Sequence, residues 1–557
     1  IHNICFFSIT ILIYNMSKPL IITSALPYAN GPLHFGHLLE HVQTDIWVRT
    51  NKLLKNECIY LCASDAHGTP IMMKAESENV KPEELVKSFT KEHEKTLRGF
   101  FINHDNYYTT HSEENKKYSE LIFLRSKENK LIKKQTIEQF YDESKGLFLA
   151  DRYVQGTCPS CGAKEQYGDN CEKCGAKYEA TDLINPVSIF SGEPPSLKES
   201  EHFFFDLSKQ EKKVLKWVNK TDLQSGVKNK LSEWFEEGLR PWDISRDEPY
   251  FGFSIPDNPK KYFYVWLDAP IGYIAILENY LTKNSSTQNT EDLWNESDIY
   301  HFIGKDIMNF HTLFWPALLD GSNFKKPSNV FVHGFMTLNG QKMSKSKGNF
   351  LLIDDYLKIL NPDYMRYFLA SKLSNGIDDL DLNLLDFQKK VNTDLVGKFI
   401  NIASRSQGFL KEFNNVLSSE IDENLLSEFS AKQKEILNLY IERKYSKAIK
   451  EIMTLADIAN QYIDSNKPWI LNKDPANKNK VHSIASTAIN LFRILNLYLE
   501  PVIPETSEKI KKYLKCSDNV SEVSNYMKDW EINSFKPLIT RIEDNEITTL
   551  MEVSKNG

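Results

Sequence analysis

The chain has 557 residues, of which 41% are hydrophobic, 26% charged and 12% aromatic. These values exclude wholesale disorder, collagen-like repeats and a disulfide scaffold, and the length predicts about three to four domains. The net charge of -7 gives no sign of the broad positive field expected of a protein that coats a nucleic acid. Eight cysteines are too few for a disulfide-rich class, which favours a reducing cytoplasm.

The N-terminal segment resembles a secretory signal only superficially. Residues 4–14 are almost wholly apolar, but they are too few to span a bilayer, and neither a basic segment nor a small-residue cleavage site flanks them. Because Met16 follows directly, we interpret residues 1–15 as an upstream extension, with a targeting segment as the alternative. No other run of residues is apolar and long enough to cross a membrane.

The next part of the chain is typical of the beginning of a doubly wound α/β domain. Residues 20–25 form an apolar run that predicts a buried strand, and residues 35–54 carry apolar side chains at helical spacing after a loop rich in Gly and Pro. A second buried strand is predicted over 58–63. Since functional side chains lie at the carboxyl ends of parallel strands, we expect the loops after both strands to face one crevice.

The pattern changes twice further along the chain. Residues 113–262 are interpreted as an insertion, and beyond residue 395 only helical periodicity remains, which predicts an all-α C-terminal region with a frayed tail over 552–557. Between the insertion and that region, further strands are predicted over 262–267, 298–303 and 330–332.

Four cysteines predict a closed zinc site: Cys158, Cys161, Cys171 and Cys174. Each C-x2-C turn places two thiolates on one knuckle, and two knuckles complete a tetrahedral set with no open position, so the metal is expected to be structural. The nine residues between the pairs are fewer than in common zinc ribbons. The alternatives are two unpaired thiol pairs or two local disulfides.

The segment His34-Phe-Gly-His37 lies between the first predicted strand and helix. Two histidines three residues apart at a helix N-terminus lie beside free backbone N–H groups and the positive end of the helix dipole, which suits a phosphate. Gly36 would let a flat base or a backbone approach closely. Taken alone, the string is equally consistent with two surface histidines that cap a helix.

A second string, NGQKMSKSKGN over residues 339–349, places Lys342, Lys345 and Lys347 among small hydroxyl residues. This composition predicts a cationic loop that can close over a polyphosphate. Taken alone, such a string is more often a solvated basic loop.

Together, HFGH and KMSKS resemble the two signature motifs of the class I aminoacyl-tRNA synthetases. Further segments are similar to the methionine-specific members of that family, namely ITSALPYANGPLHFGH, SDAHGTPI, WDISRD, FYVWLDAPIGY, HFIGKDI and FVHGFMTLNGQKMSKSKGN. The resemblance extends from about residue 20 to about residue 545. One departure is Phe35, where the signature usually has an aliphatic residue; phenylalanine stays apolar and can still pack beneath the helix.

The resemblance implies a Rossmann-type α/β catalytic domain split by a zinc-binding insertion and followed by an all-α helical-bundle anticodon-binding domain. The implied divisions are 16–112 for the first catalytic half, 113–262 for the insertion, 263–338 for the second half, 339–394 for the KMSKS and stem-contact region, and 395–557 for the anticodon-binding domain and tail.

The implied reaction activates L-methionine with ATP, with Mg2+ as the companion of ATP, to give methionyl-adenylate and pyrophosphate. Methionine is then transferred to the 2′-hydroxyl of the terminal adenosine of tRNA(Met). Positioning and charge stabilisation are expected to dominate the first step, with Lys345 stabilising the pyrophosphate, Lys342 assisting, and Gly36 against adenine. The residues that the resemblance assigns to ATP are His34, Gly36, His37, Gly304, Asp306, Lys342 and Lys345.

The resemblance also implies a methionine pocket in which Asp65 receives the substrate ammonium. Aromatic walls suit a thioether, because each sulfur–aromatic contact contributes about 0.3–1.5 kcal/mol, although Trp266 and Tyr273 could equally be ordinary core residues. Tyr28 and His311 could serve to reject homocysteine, and any editing would take place in this synthetic site. The other implied pocket residues are Ala25, Leu26, Ala269 and Pro270.

For tRNA, the resemblance implies that Asn401 and Arg405 read base edges of the CAU anticodon and that Trp469 stacks on a splayed base, as proteins commonly read single-stranded loops. Without the resemblance, Arg405 would be interpreted as a solvated helix charge and Trp469 as a packing wedge. A monomer is expected, because the sequence carries no appended dimerisation domain of the kind that some members have.

Two alternatives to methionine-tRNA ligation remain. One is a class I synthetase for another amino acid, such as cysteine, leucine or valine; the chain lacks the bulky editing insertion of the larger aliphatic enzymes, and a cysteine enzyme needs an open zinc in its pocket. The other is a catalytically inactive tRNA-binding relative, which the intact HFGH and KMSKS strings disfavour.

Overall fold

The structure is a computed structural model that describes residues 18–150, 153–168, 171, 173–174, 176, 178–342 and 351–556. The N-terminal extension of residues 1–15 and the KMSKS residue Lys345 lie outside the described residues. For Lys342, only the backbone is described.

The chain begins with alternating strands and helices, as the sequence predicts. The elements of this first part are β1 (Leu20–Ser24), α1 (Phe35–Leu53), β2 (Cys58–Ser64), α2 (Thr69–Glu78), α3 (Pro82–Gly99), β3 (Asn106–Thr109) and α4 (Glu113–Glu128).

The middle part consists mainly of short antiparallel strands. Its elements are β4 (Ile132–Asp142), β5 (Leu147–Phe148), β6 (Val154–Thr157), β7 (Gln166–Tyr167), β8 (Ile184–Ser188), β9 (Ser196–Phe205), α5 (Glu211–Lys220), α6 (Ser225–Glu237), β10 (Trp242–Asp243), β11 (Ser245–Asp247), β12 (Ser254–Ile255) and β13 (Asn258–Phe263).

The α/β pattern then resumes and leads up to the KMSKS string. The elements are α7 (Val265–Lys283), α8 (Thr290–Glu296), β14 (Asp298–Gly304), a π-helical turn (Phe310–Phe314), α9 (Trp315–Gly321), β15 (Asn329–His333), β16 (Met336–Leu338) and β17 (Gln341–Lys342).

After residue 350 the chain is almost entirely helical. The elements are α10 (Ile353–Leu357), α11 (Pro362–Lys372), β18 (Leu380–Leu382), α12 (Leu384–Val391), a π-helical segment (Asn392–Ile400), α13 (Asn401–Leu410), α14 (Glu423–Ala431), α15 (Gln433–Ile441), α16 (Tyr445–Asn466), α17 (Pro468–Leu471), α18 (Lys478–Leu499), α19 (Pro504–Leu514) and α20 (Asp544–Asn556).

The central sheet contains five parallel strands in the order β15-β14-β1-β2-β3. From β1, the order runs to β2 and β3 on one side and to β14 and β15 on the other. The carboxyl ends of β1 and β14 therefore border the crevice where a doubly wound sheet binds its ligand. The α/β class and the all-helical C-terminal region that the sequence predicts are both confirmed.

Two local predictions are wrong, and one strand is not predicted. The run over 262–267 is not one strand, because β13 ends at Phe263 and α7 begins at Val265. An apolar run that is buried on all sides suits both a strand and a helix, so periodicity could not separate them. The short strand β3 was missed, and the residues predicted as a frayed tail continue α20 as far as Asn556.

Helix α1 is buried on nearly all sides, because it lies between the sheet and the helical region. The Trp47 Nε1–H donates to the Ile441 carbonyl at 3.0 Å, and the Tyr445 hydroxyl donates to the Gln43 carbonyl at 2.8 Å. Arg366, which is fully buried, pairs with Asp45 of α1 at 2.6 Å. These contacts fix the helix that begins with the HFGH segment against the C-terminal region.

In the parts of the chain that the structure describes, no helix has both the length and the apolar character needed to cross a membrane.

Candidate active site

The HFGH segment forms the N-terminus of α1, with His34 as the capping residue. The Gly36 N–H donates to His34 Nδ1 at 3.1 Å, and the His34 N–H donates to His37 Nδ1 at 3.2 Å. The two imidazole rings stack with their centroids 3.9 Å apart. Burial, followed by the neighbouring His34, lowers the pKa of His37 well below its usual value. Since His37 Nδ1 accepts a hydrogen bond, the proton of its neutral ring lies on Nε2.

Position 36 requires a glycine, because the His34 ring lies too close to leave room for a Cβ atom. A Cβ atom at this position would lie 2.9 Å from His34 Cε1 and 3.0 Å from Nδ1. Any larger residue would therefore displace the ring that caps the helix.

Replacing Gly36 with alanine is expected to lower the rate of amino-acid-dependent ATP–pyrophosphate exchange by up to about a hundredfold, the cost of a misplacement of about 1 Å in a positioning group. The KM for the amino acid should stay within about twofold. Gly31→Ala is the matched control, since a Cβ atom at this position in the same loop meets nothing within 4 Å. Equal losses in both variants would contradict this account of Gly36.

Asp65 follows β2 and faces the loop that follows β1. The Asp65 N–H donates to the Pro27 carbonyl at 2.8 Å, and the Ala29 N–H donates to the Asp65 carbonyl at 2.8 Å. Its carboxylate is buried and accepts a long hydrogen bond of 3.5 Å from the Thr110 hydroxyl. Burial and the charge of Asp268 raise the pKa of Asp65 well above its usual value. A buried carboxylate of this kind gains most by pairing with a cation.

The raised pKa of Asp65 predicts an acid limb in the pH profile. As the pH falls through this pKa, the carboxyl of the free enzyme becomes protonated and no longer attracts a substrate ammonium. We expect kcat/KM for the amino acid in pyrophosphate exchange to decline already at pH values well above the ordinary pKa of a carboxyl group, while kcat changes less because bound ammonium holds Asp65 ionised. A kcat/KM that stays flat down to the ordinary pKa of a carboxyl group would contradict this role.

Tyr273 on α7 and His311 in the π-helical turn form a buried hydrogen-bonded pair. Burial lowers the pKa of His311 to about 4, so the ring is neutral at physiological pH. His311 Nδ1 donates to the Ile307 carbonyl at 3.1 Å, and the Tyr273 hydroxyl therefore donates to Nε2 at 2.9 Å. Both ring nitrogens are thus satisfied within the protein, and the pair presents a largely apolar surface.

Trp266 lies at the beginning of α7 and stacks on Phe310. The two rings are 4.0 Å apart between centroids and within 6° of parallel. Phe310 is the first residue of the π-helical turn that also carries His311. The extra residue in a π-helical turn shifts the side chains that follow, and such turns frequently occur at functional sites.

Gly304 ends β14 and is followed by a turn that carries Asp306. A Cβ atom on Gly304 would lie only 2.5 Å from Asp306 Oδ1. This strand end lies beside β1, at the point where the strand order diverges.

A single cavity of about 730 Å³ brings these groups together. Apart from Lys342, of which only the backbone is described, every described residue that the sequence assigns to ATP or methionine lines this cavity. They are Ala25, Leu26, Tyr28, His34, Gly36, His37, Asp65, Trp266, Ala269, Pro270, Tyr273, Gly304, Asp306 and His311.

Strand and bridge contacts hold the described residues on either side of the KMSKS string. Lys342 lies in β17, which pairs with β16. On the other side of the string, Leu352 forms a bridge with His34, and the Ile353 N–H donates to the Leu33 carbonyl at 3.5 Å. The chain that follows the KMSKS string is therefore joined to the HFGH segment.

Sequence reasoning missed several residues of this cavity. The guanidinium of Arg246 lies 3.7 Å from the centroid of the Tyr264 ring, and Glu40 of α1 lies 3.4 Å from His333 of β15. All four line the cavity. Arg246 could have been found, because it belongs to the WDISRD segment that carries the family resemblance. Glu40 gives no such signal, since the sequence alone suggests an ordinary solvated glutamate on a helix, whereas the structure buries it.

The four predicted zinc ligands lie together in the middle part of the chain. The Sγ atoms of Cys158 and Cys174 are 3.9 Å apart, and those of Cys161 and Cys171 are 3.6 Å apart. All four sulfurs lie within 4.8 Å of one another. The separations are far longer than a disulfide bond and match the roughly 3.8 Å between thiolates of a tetrahedral zinc site. The residues therefore fit a structural zinc ion.

The three predicted anticodon residues share one surface of the helical region. The Arg405 guanidinium lies 5.3 Å from the centroid of the Trp469 ring and pairs with Asp464. One turn before Arg405 on α13, the Asn401 side chain donates to Asn460 at 3.3 Å. The Trp469 side chain is 42% exposed, so it is not the buried packing wedge that was the alternative.

Comparisons with known proteins agree with this architecture. The family model for class I tRNA synthetases (M) matches residues 20–407, and a model for the anticodon-binding domain of tRNA ligases matches residues 422–556. The fold is similar to that of Mycobacterium tuberculosis methionyl-tRNA synthetase in complex with methionyl-adenylate, with 23% identity, a TM-score of 0.78, and coverage of 94% of this chain and 99% of that chain. The free state of the same enzyme is 21% identical, with a TM-score of 0.72, and the match covers 95% of this chain and 99% of that chain.

The first family model matches well over half of the chain. The chain therefore belongs to the class I tRNA synthetases, in the family designated M. It is an enzyme that joins an amino acid to tRNA.

Proposed function

We propose that the enzyme is a methionine-tRNA ligase. It activates L-methionine with ATP and transfers it to the 2′-hydroxyl of the terminal adenosine of tRNA(Met). The observation that carries this proposal is the cavity in which the buried Asp65, the Trp266–Phe310 stack and the Tyr273–His311 pair lie beside the start of α1. The structurally similar Mycobacterium tuberculosis methionyl-tRNA synthetase binds methionyl-adenylate.

The pocket suits a linear thioether more than a polar side chain. Both nitrogens of His311 already have partners, so a polar substrate group would find no free donor or acceptor there and would be buried unsatisfied. A thioether needs no such partner and gains from the aromatic face of Trp266. The ammonium of methionine pairs with Asp65. This pairing directs the carboxylate of methionine toward α1. The satisfied His311 also disfavours the thiol of homocysteine, which has a proton to donate.

In the activation step, a methionine carboxylate oxygen attacks the α-phosphorus of ATP. The bond from that phosphorus to the bridging oxygen breaks, and pyrophosphate leaves with the electron pair. His34 and His37 bind phosphate oxygens, Gly36 lies against adenine, and Gly304 and Asp306 contact the nucleotide. Lys345, assisted by Lys342, neutralises the charge that develops on pyrophosphate. Mg2+ accompanies ATP and supplies further positive charge.

The four-cysteine cluster is assigned a structural Zn2+ ion. When bound, the ion would crosslink the two knuckles, and no step of the reaction depends on it. For tRNA, Trp469 stacks on an anticodon base while Asn401 and Arg405 bond base edges.

The proposed role of Trp469 predicts a separation of the two half-reactions. Trp469→Ala should lower kcat/KM for charging tRNA by about 5- to 150-fold, the equivalent of about 1–3 kcal/mol for one stacked base, and leave pyrophosphate exchange unchanged. Trp530→Ala is the matched control, because Trp530 is 41% exposed in the same region of the chain. A parallel loss of exchange in Trp469→Ala would mean that the residue is structural.

Amino-acid-dependent ATP–pyrophosphate exchange tests the proposed function. Methionine is expected to stimulate exchange at least about a hundredfold more efficiently than leucine, valine or cysteine, in line with the discrimination that a shaped pocket gives. Equal or stronger stimulation by another amino acid would identify a different class I specificity. No stimulation by any amino acid would identify an inactive tRNA-binding relative.

A further inference from the structure

A second group of metal-ligating side chains lies beneath the proposed active site and has no part in the mechanism. It consists of His41 of α1, Cys62 of β2 and His104, which precedes β3. One ligand atom from each residue lies within 4.8 Å of the other two. His41 and Cys62 are 1% and 0% exposed. Three different elements therefore bring two imidazoles and a thiol to one buried point.

The imidazoles of this group lack the hydrogen bonds that buried polar groups normally have. Among the described residues, neither His41 nitrogen has a hydrogen-bond partner, and His104 Nε2 also has none. The Cys62 thiol lies 3.6–4.0 Å from three backbone carbonyl oxygens. Because buried polar atoms are almost always satisfied, we expect these nitrogens to have partners from outside the described residues, either waters or a metal ion.

The surroundings keep both imidazole rings in the neutral form that can bind a metal ion. Burial lowers the pKa of His104 to about 3 and that of His41 well below its usual value, so both rings are neutral and offer lone pairs. The ring centroids of His41 and His104 are 5.4 Å apart and the rings are nearly perpendicular. Asp45, one turn further along α1, already pairs with Arg49 and Arg366, so the negative charge that offsets a divalent ion would come from a Cys62 thiolate.

We propose that His41, Cys62 and His104 bind a second zinc ion, separate from the four-cysteine knuckle. Zinc binds imidazole nitrogen at about 2.0–2.1 Å and thiolate at about 2.3 Å, with ligand atoms about 3.3–3.7 Å apart in a tetrahedral set. Side-chain rotations that draw the donors together by about 1 Å reach this geometry. On binding, the Cys62 thiol releases its proton to solvent, zinc remains divalent, and a water completes the tetrahedron.

The position of the site indicates a structural role. His41 lies one turn after His37 on α1, Cys62 is three residues before Asp65, and His104 lies in the loop that leads to β3. A bound zinc ion would therefore tie the phosphate-binding end of α1 to the strand that carries Asp65. This inference concerns metal binding alone and does not depend on which amino acid the enzyme activates.

Zinc content of the full-length enzyme tests the proposal. After saturation with zinc and dialysis against a weak chelator, the unaltered enzyme is expected to retain two zinc ions per chain, and His104→Asn or Cys62→Ala to retain one. Cys58→Ser is the matched control, because Cys58 begins the same strand as Cys62 but lies outside the cluster; it should retain two. A single zinc ion in the unaltered enzyme, or two in His104→Asn, would overturn the proposal.

Cobalt substitution provides a readout that does not depend on the folding of buried variants. In Cys161→Ser/Cys174→Ser, which removes two exposed knuckle ligands, the proposed site should still bind Co2+ and give the absorption of a tetrahedral ion with a thiolate-to-cobalt band. His104→Asn in that background should abolish the band. A spectrum without a thiolate band would show that the buried group holds no metal.

Discussion

Lys345→Ala is expected to lower the rate of adenylate formation by about a hundred- to a thousandfold, the effect of removing one preorganised charge from a transition state. The structure joins the residues after the KMSKS string to His34 through the bridge with Leu352, and His34 is one of the proposed phosphate ligands. The lysine acts on charge that develops only as pyrophosphate leaves, so the Kd for methionine should not change.

Lys347→Ala is the matched control for this prediction, because it removes the same charge from the same string two residues away. Single-turnover formation of adenylate and equilibrium binding of methionine are the two measurements. An equal loss of both in Lys345→Ala would indicate a ground-state or folding effect. Equal losses in the two lysine variants would indicate a general electrostatic effect without a specific contact.

Asp65→Asn is expected to lower kcat/KM for methionine by about a hundred- to a thousandfold, the equivalent of about 3–4 kcal/mol for an ammonium left unpaired in a buried site. Asparagine has nearly the same shape and can still accept the hydrogen bond from Thr110, so the variant isolates the charge. The acid limb of the pH profile should disappear with the carboxyl group.

A methionine analogue that lacks the amino group provides the control for Asp65→Asn. Since this analogue has no ammonium to pair, it should inhibit the unaltered enzyme and Asp65→Asn with similar inhibition constants. A large loss of analogue binding in the variant would show that the substitution has collapsed the pocket, and the assignment of Asp65 to the ammonium would then be wrong.

The sequence predicts most of the local features that position the site. The strand, loop and helix around HFGH are readable because a short apolar run, a Gly- and Pro-rich loop and a 3.6-residue period follow one another. The cysteine pairs are equally readable, since their spacing is set by metal geometry. Composition was a poor guide to RNA binding: the net charge of -7 argued against a polyanion partner, whereas the proposed anticodon surface depends on a few placed side chains such as Arg405 and Trp469.

Other features depend on tertiary contacts that no local pattern encodes. The boundary between β13 and α7 lies inside one apolar run. The change from the two-residue period of a strand to the 3.6-residue period of a helix is therefore not visible in the sequence. The Trp266–Phe310 stack requires the π-helical turn, whose extra residue cannot be inferred from spacing. The unpartnered nitrogens of His41 become visible only when α1, β2 and the loop before β3 are brought together.

Aminoacylation of tRNA transcripts with methionine tests the proposed function most directly. We expect the enzyme to charge a tRNA(Met) transcript with methionine, releasing AMP and pyrophosphate, and we expect a change of the CAU anticodon to reduce kcat/KM by at least about a hundredfold. Charging of the transcript with a different amino acid, or no charging by an enzyme that binds both methionine and ATP, would contradict the proposed function.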